Sequence, residues 1–261
     1  MSQSMTPPQP EPSPVTASTP PSVETPETPP IGHEHSDVSG GWLRPAVFGA
    51  MDGLVSNAAL IAGVAGGTQD ATDSNAVVLA GLAGLAAGAF SMAAGEYASV
   101  ASQSEAAERE IAKERQEILT NPEAERAELV EMLTEKGLDA ELAEEVATQV
   151  HRNVDAAVAV HAMEEFGVDP DELASPTVAA VSSFLSFSLG ALVPVVPFLV
   201  DGDALPWAIG LTLVALFLCG AVVTRLTSRP WWFGGLRQVL LGGAAFVLTF
   251  WIGSLVGAGL G

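Results

Sequence analysis

Residues 74–119 read SNAVVLAGLAGLAAGAFSMAAGEYASVASQSEAAEREIAKERQEIL, and this stretch passes from an apolar surrounding into an aqueous one. Its first part, Ser74–Gly95, carries no charge and is rich in Ala and Gly. It is long enough to cross a bilayer core of about 30 Å, which takes about 20 helical residues. From Glu96 onward acids and bases crowd in, yet neither Gly nor Pro interrupts residues 96–119. The spacing predicts one long helix that spans the membrane and continues out of it.

Four further segments have the length and apolarity of a span. They are Pro45–Gln69, charge-free except for Asp52; Pro176–Val200, which contains Pro194 and Pro197; Ala204–Thr224; and Val239–Gly261. Connections are short except for residues 101–174. The predicted fold class is therefore an all-α membrane protein: five transmembrane helices with a cytoplasmic helical domain inserted between the second and third. The domain boundaries are 1–32 for a tail, 33–100 for a pre-span segment and spans 1–2, 101–174 for the insert, and 175–261 for spans 3–5.

Charge follows the same partition. The 261 residues carry a formal net charge of −21, yet mean hydropathy is +0.35. Residues 101–174 hold twenty acids and six bases, so −14 of the total sits on the insert, while 175–261 hold two acids and three bases. A chain so acidic lacks the basic surface nucleic acid requires, and acidic regions draw cations. The lone Cys219 excludes an intrachain disulfide and a thiolate metal cluster. No P-loop, nucleophile elbow or dinucleotide fingerprint is present, so the chain is not expected to be an enzyme.

Residues 1–32 are rich in Pro, Ser, Thr and Glu, with no apolar run and no basic n-region. They read as a disordered cytoplasmic tail, not a signal peptide. His33, Glu34 and His35 close it, either as a solvated turn or as metal ligands. With five spans, all ten Lys and Arg residues fall on the side shared by the tail, the insert and a 225–237 loop. The opposite loops carry only Asp70, Asp73, Asp201 and Asp203. Basic residues collect on the cytoplasmic side, which places the N-terminus and the insert there and the C-terminus outside.

Within the insert, Asn121-Pro122 starts a second helix that Gly137 ends. Asp139 caps a third running to about Arg152, and Asp155 starts a last one that stops before Gly167. Glu114 and Glu117 form an ExxE pair before the Asn121-Pro122 turn, and Glu125 and Glu128 form another just after it. Residues at i and i+3 share a helix face. A hairpin at the turn brings the pairs together, and Glu165 completes the site from a later helix. Clustered carboxylates on bundled helices hold ions such as Mn²⁺ and Fe²⁺. The competing reading is a solvated acidic face. Sixteen Glu in this insert generate such pairs by chance, as Glu105/Glu108 and Glu141/Glu144 show.

An acid inside a span is costly and marks function, which singles out Asp52; its bland alternative is an interfacial position eight residues past Arg44. Met92 and Glu96 lie one turn apart in the second span. At about 100° per residue, Ser99, Gln103, Glu110, Glu114 and Glu117 continue their face toward the insert. A packing Met and a solvated face are the simpler reading. Small residues recur in the second span (Gly81, Gly84, Gly88, Gly95) and the fifth (Gly242, Gly243, Gly253, Gly257), as in closely packed membrane helices. Five spans are few to enclose a pathway, so a homodimer sharing a central path is expected.

Several of these residues carry a resemblance. Gly41-Trp42-Leu43-Arg44, Asp52-Gly53-Leu54-Val55-Ser56, Ala62-Gly63-Val64-Ala65-Gly66, Ser91-Met92-Ala93-Ala94-Gly95-Glu96-Tyr97 with Ser102-Gln103, and Phe187-Ser188-Leu189-Gly190-Ala191 with Pro194 together resemble the vacuolar iron transporter family. The similarity covers about residues 33–261. It implies five spans, a homodimer, and export of Fe²⁺, and also Mn²⁺, from the cytosol in exchange for protons. It implies metal ligation by Glu114, Glu117, Glu125, Glu128 and Glu165, and a pathway through Asp52 and Met92, with Glu96 in the same motif. Two departures stand out. Met51 occupies a position where many members have Asn. His161 and Ala162 replace methionines found before the third-helix glutamate, which makes His161 a weaker candidate ligand.

The expected function is thus a proton-coupled exporter of Fe²⁺ and Mn²⁺ serving metal detoxification and homeostasis. No tightly bound cofactor is expected beyond the transported ion. Its partners are divalent metal ions, protons, the lipid bilayer and a second copy. Its place is the cytoplasmic membrane in a prokaryote or the vacuolar membrane in a eukaryote. The alternatives are a membrane-anchored metal buffer or sensor without transport, and an organic-ion transporter regulated by its insert.

Overall fold

Gly95 is followed by 25 residues without a helix breaker, and the chain stays helical throughout: α2 runs from Ser74 to Thr120. A computed structural model describes residues 41–67, 74–200, 204–224 and 229–260. Expectations for the 1–32 tail, His33, Glu34 and His35, the loops 68–73 and 201–203, and Arg225 lie outside the described residues. Among those described, the other helices are α1 (Leu43–Gly67), α3 (Pro122–Glu135), α4 (Ala140–Val150), α5 (Val154–His161), α6 (Pro176–Leu192), α7 (Val196–Val200), α8 (Leu205–Val223) and α9 (Trp231–Leu260).

Four helices, α1, α2, α8 and α9, are long and apolar enough to cross a membrane. Their outward faces carry large apolar side chains, including Trp207, Val214, Leu218, Leu240, Leu248 and Trp251. Exposed apolar surface on this scale belongs against lipid. The chain is a multi-pass membrane protein, all-helical among the described residues.

The expected single helix over Pro176–Val200 is broken. Pro194 has no N–H with which to continue the ladder, and the backbone tightens instead. Val193, Val195 and Phe198 donate to Gly190, Leu192 and Val195, each three residues back. α6 thus covers 17 residues, followed by a turn and the short α7. Pro197 sits in the first turn of α7, where no N–H is required. The expected loop through residue 237 is also shorter than the sequence suggested. Helix α9 begins at Trp231, directly after Pro230, so Arg237 lies on it. Gly234 there faces Gly220 of α8 so closely that an added Cβ would meet backbone.

α1 is the central helix and packs against α6, α9, α2 and α8. Its glycines set the spacing. A Cβ on Gly53 would collide with Phe187 O and lie 2.9 Å from Ala191 N, both backbone atoms of α6. Gly53→Ala should therefore cost about 1–3 kcal/mol, read as a lower melting temperature in detergent. Ala58→Gly on the same helix should cost about 1–2 kcal/mol, from backbone freedom and the loss of a buried methyl.

The insert follows its punctuation closely. Gly137 (φ 99°) and Gly167 (φ 66°) take left-handed conformations that end their helices. Gly137 and Leu138 donate to Thr134 O and Leu133 O, as a C-terminal cap requires. Asn121 and Asp139 hold the N-cap positions, without side-chain cap bonds. The last helix starts one residue earlier than expected, because Asn153, not Asp155, is its cap: Asn153 Oδ1 accepts from Asp155 N and Ala156 N. Ile118, Ala157 and Val158 form the insert's buried centre. Arg115–Asp155 (2.6 Å) and Arg126–Glu144 (3.5 Å) tie α2 to α5 and α3 to α4.

Candidate metal centre and membrane cleft

The reversal at Asn121 folds α3 back beside the end of α2, and α5 packs across α2. That arrangement brings Glu114 of α2, Glu125 of α3 and His161 of α5 together. One ligand atom from each lies within 4.8 Å of the others. All three are buried, with exposures of 3%, 8% and 0%. Buried charges need compensation, and here two carboxylates share one imidazole. His161 Nδ1 is 3.1 Å from Glu114 Oε1 and 3.0 Å from Glu165 Oε1. Helix α5 ends in a π-helical turn over Ala162–Phe166, which carries Glu165. Nδ1 hydrogen-bonds with Glu165 Oε1, while Glu114 Oε1 and His161 Nε2 are buried without a hydrogen-bond partner.

Of the expected ligands, then, Glu114, Glu125, Glu165 and His161 converge. Glu117 and Glu128 stand beside the cluster and act on it through charge. Glu117 pairs with Lys113 at 3.6 Å. His161 is the most buried of the group.

Electrostatics match the geometry. Burial pushes the Glu114 carboxyl up to about 7; Glu165 adds to the rise, His161 opposes it, and Glu125 and Glu117 add further. Burial also raises Glu125, with Glu128 the next cause. Both groups lie outside the apolar part of the chain. The set offers carboxylate oxygens and one imidazole nitrogen, a combination suited to Mn²⁺, Fe²⁺ or Zn²⁺. A cation binding there displaces the Glu114 proton, so affinity depends on pH. Mn²⁺ affinity of the full chain in detergent should fall about fivefold between pH 7 and pH 6 for one proton released by a group titrating at about 7. Titrations at several pH values check this, and Glu114→Gln should flatten the profile.

His151 did not stand out in the sequence. Its ring lies edge-on to His161, with centroids 5.3 Å apart and planes at 84°. Its Nδ1–H donates to Ala147 O at 2.9 Å. Burial lowers its pKa, so it backs His161 as a neutral ring. No spacing signal marks it, because its partner lies across the α4–α5 turn.

The second place is a cleft of about 360 Å³ between α1 and α2. Asp52, Ser56, Asn57 and Leu60 line it from α1, with Gly84, Gly88, Ser91 and Met92 from α2 and Phe187 from α6. Asp52 and Met92 therefore meet in one cavity. Glu96, one turn beyond Met92, is half-buried and is not among its lining residues. Met51 does not line it either. Its sulfur faces α9, where Gln238 Nε2 donates to it at 3.2 Å. Met92 and Glu114 are 22 positions apart on one helix, about 33 Å at 1.5 Å per residue. The two places are distinct, joined by the continuous α2.

The chain was also compared with known proteins. A family model of the VIT family matches residues 43–254. The chain is 35% identical over 240 residues to a protein named vacuolar iron transporter from Acanthamoeba castellanii, covering 86% of this chain and 83% of that one. It is 30% identical over 139 residues to vacuolar iron transporter 1 of Oryza sativa subsp. japonica. That match covers 52% of this chain and spans about half of the rice protein, 55% of its length.

Proposed function

The chain belongs to the VIT family, and from that premise we propose that it exports divalent transition metal, Fe²⁺ and also Mn²⁺, from the cytosol in exchange for protons. The observation that carries this reading is the pairing of two metal-suited places on one helix: a buried carboxylate–imidazole cluster and an acid-bearing cleft within the apolar region. In this reading Glu114, Glu125, Glu165 and His161 collect the ion, with Glu117 and Glu128 adding negative charge. Asp52 and Met92 pass it through the membrane. Protons and metal compete at Asp52 and at Glu96, which couples their movements.

Five spans are part of the proposal, α6 with α7 supplying the third. α6 alone is about 26 Å long at 1.5 Å per residue; the Pro194 turn and α7 add the remainder. The Lys and Arg distribution then puts the insert in the cytosol. Exposure on α1 supports a homodimer. Asp52, Ser56 and Leu60 form an exposed line on α1, and an acid facing lipid is costly. A second copy covering this face encloses the cleft. Crosslinking in native membranes should give a dimer; monomer alone contradicts it.

The membrane-anchored buffer or sensor explains the cluster but leaves Asp52 and Met92 in the cleft without a task. Fluxes of Fe²⁺, Mn²⁺ and Zn²⁺ into proteoliposomes, with and without a pH gradient, separate the readings: transport requires gradient-dependent flux, and a buffer gives binding alone.

A further inference from the structure

Asn57 is 2% exposed, deep in α1. Its Nδ2 donates to Ala191 O of α6 at 2.6 Å. That carbonyl is available because of the break at Pro194: Val195 N–H turns to Leu192 O (3.0 Å) and does not continue the ladder to Ala191. A carbonyl partner requires the amide nitrogen to face it, so the orientation of the side chain is set. Oδ1 then faces the other way, toward α2. It is buried and has no hydrogen-bond partner. A Cβ built on Gly84 would come within 2.7 Å of it, and both residues line the cleft that holds Asp52 and Met92.

A buried amide oxygen without a partner is costly. This one is held by the anchor on its own amide nitrogen and packs against a glycine, where any side chain would crowd it. Amide and carboxylate oxygens are hard ligands for divalent cations. Along α1, Asn57 lies five residues beyond Asp52, about 7.5 Å deeper. We propose that Asn57 Oδ1 is an ion-ligating oxygen, forming an inner station of the cleft beyond the Asp52–Met92 level. Gly84, lacking a Cβ, leaves room for that oxygen at the wall of the cleft, and the break in α6 orients it.

The inference rests on the transport reading, and the experiment keeps the two separable. Full-length protein is reconstituted, and Mn²⁺ flux is measured against concentration for wild type, Asn57→Leu and Gly84→Ala. Asn57→Leu removes the oxygen and the anchor together. Gly84→Ala crowds the oxygen and also the end of the Leu60 side chain, 2.5 Å from the added Cβ, which can turn aside, and it leaves the Ala191 anchor in place. Both variants should raise KM for Mn²⁺ by about tenfold or more, the scale on which lost metal-site interactions act. Mn²⁺ binding at the insert should be unchanged. A role confined to pinning α1 to α6 would lower the melting temperature of Asn57→Leu and leave KM of Gly84→Ala at the wild-type value, which overturns the proposal. If Asn57→Leu fails to fold, Gly84→Ala decides alone. Absence of flux in the wild type would instead overturn the transport reading.

Discussion

Asp52→Ala should reduce metal flux through reconstituted protein at least a hundredfold, with metal binding at the insert unchanged. Asp52 is the one acid within Pro45–Gly67, and it lines the cleft with Met92. A divalent ion leaving water in an apolar surrounding loses its hydration and needs a fixed negative charge in exchange. Removing one partner of a desolvated charge pair costs about 3–5 kcal/mol, and about 2.7 kcal/mol is a hundredfold in rate. Asp52→Glu retains the charge with a longer stem and should recover part of the flux. Initial rates from a luminal metal indicator, paired with equilibrium Mn²⁺ titration of the same preparation, provide the check. Full flux in Asp52→Ala would remove the cleft from the pathway.

Glu114→Gln should produce opposite changes in binding and stability. The substitution keeps the shape and removes the charge at the centre of the cluster. Mn²⁺ affinity should fall about a hundredfold, the upper range for damage to a metal site. The metal-free protein should become more stable near pH 7.5. The sign follows from linkage: burial raises the folded-state pKa of Glu114 from 4.5 to about 7. The folded chain therefore holds its proton more firmly than the unfolded chain. The associated stability is present below about 4.5 and is lost as pH rises to about 7. Glutamine does not ionise and escapes that loss. Melting of the full chain with and without Mn²⁺, at pH 5.5 and 7.5, reads both effects. Wild type should lose stability between these pH values and regain it with Mn²⁺, and Glu114→Gln should do neither.

Much of this architecture was legible in residue order. Charge-free runs marked the membrane helices, and the absence of Gly and Pro over residues 96–119 marked the continuity of α2. Gly137, Gly167 and Asn121-Pro122 punctuated the insert, because left-handed backbone and a missing N–H are local requirements. The ExxE spacing and the hairpin between the pairs pointed to Glu114 and Glu125. What stayed hidden depends on contacts distant in the chain. Glu114 and Glu125 are buried while Glu128 is exposed, a distinction that α5 imposes and that spacing does not contain. His151 acquires its place only from His161. Asn57 has an oriented oxygen only because a proline 137 positions later breaks α6 and frees a carbonyl. The start of α9 at Trp231 was obscured by Gly234-Gly235, which serve packing against α8 and do not end the helix.

The most direct test is accumulation of Mn²⁺ against its own gradient. Proteoliposomes with an acidic lumen, and with the insert facing outward, should concentrate Mn²⁺ above the external level. The accumulation should stop when the pH gradient is collapsed. Binding of Mn²⁺ by the insert with no luminal accumulation would contradict the account and leave a membrane-anchored buffer in its place.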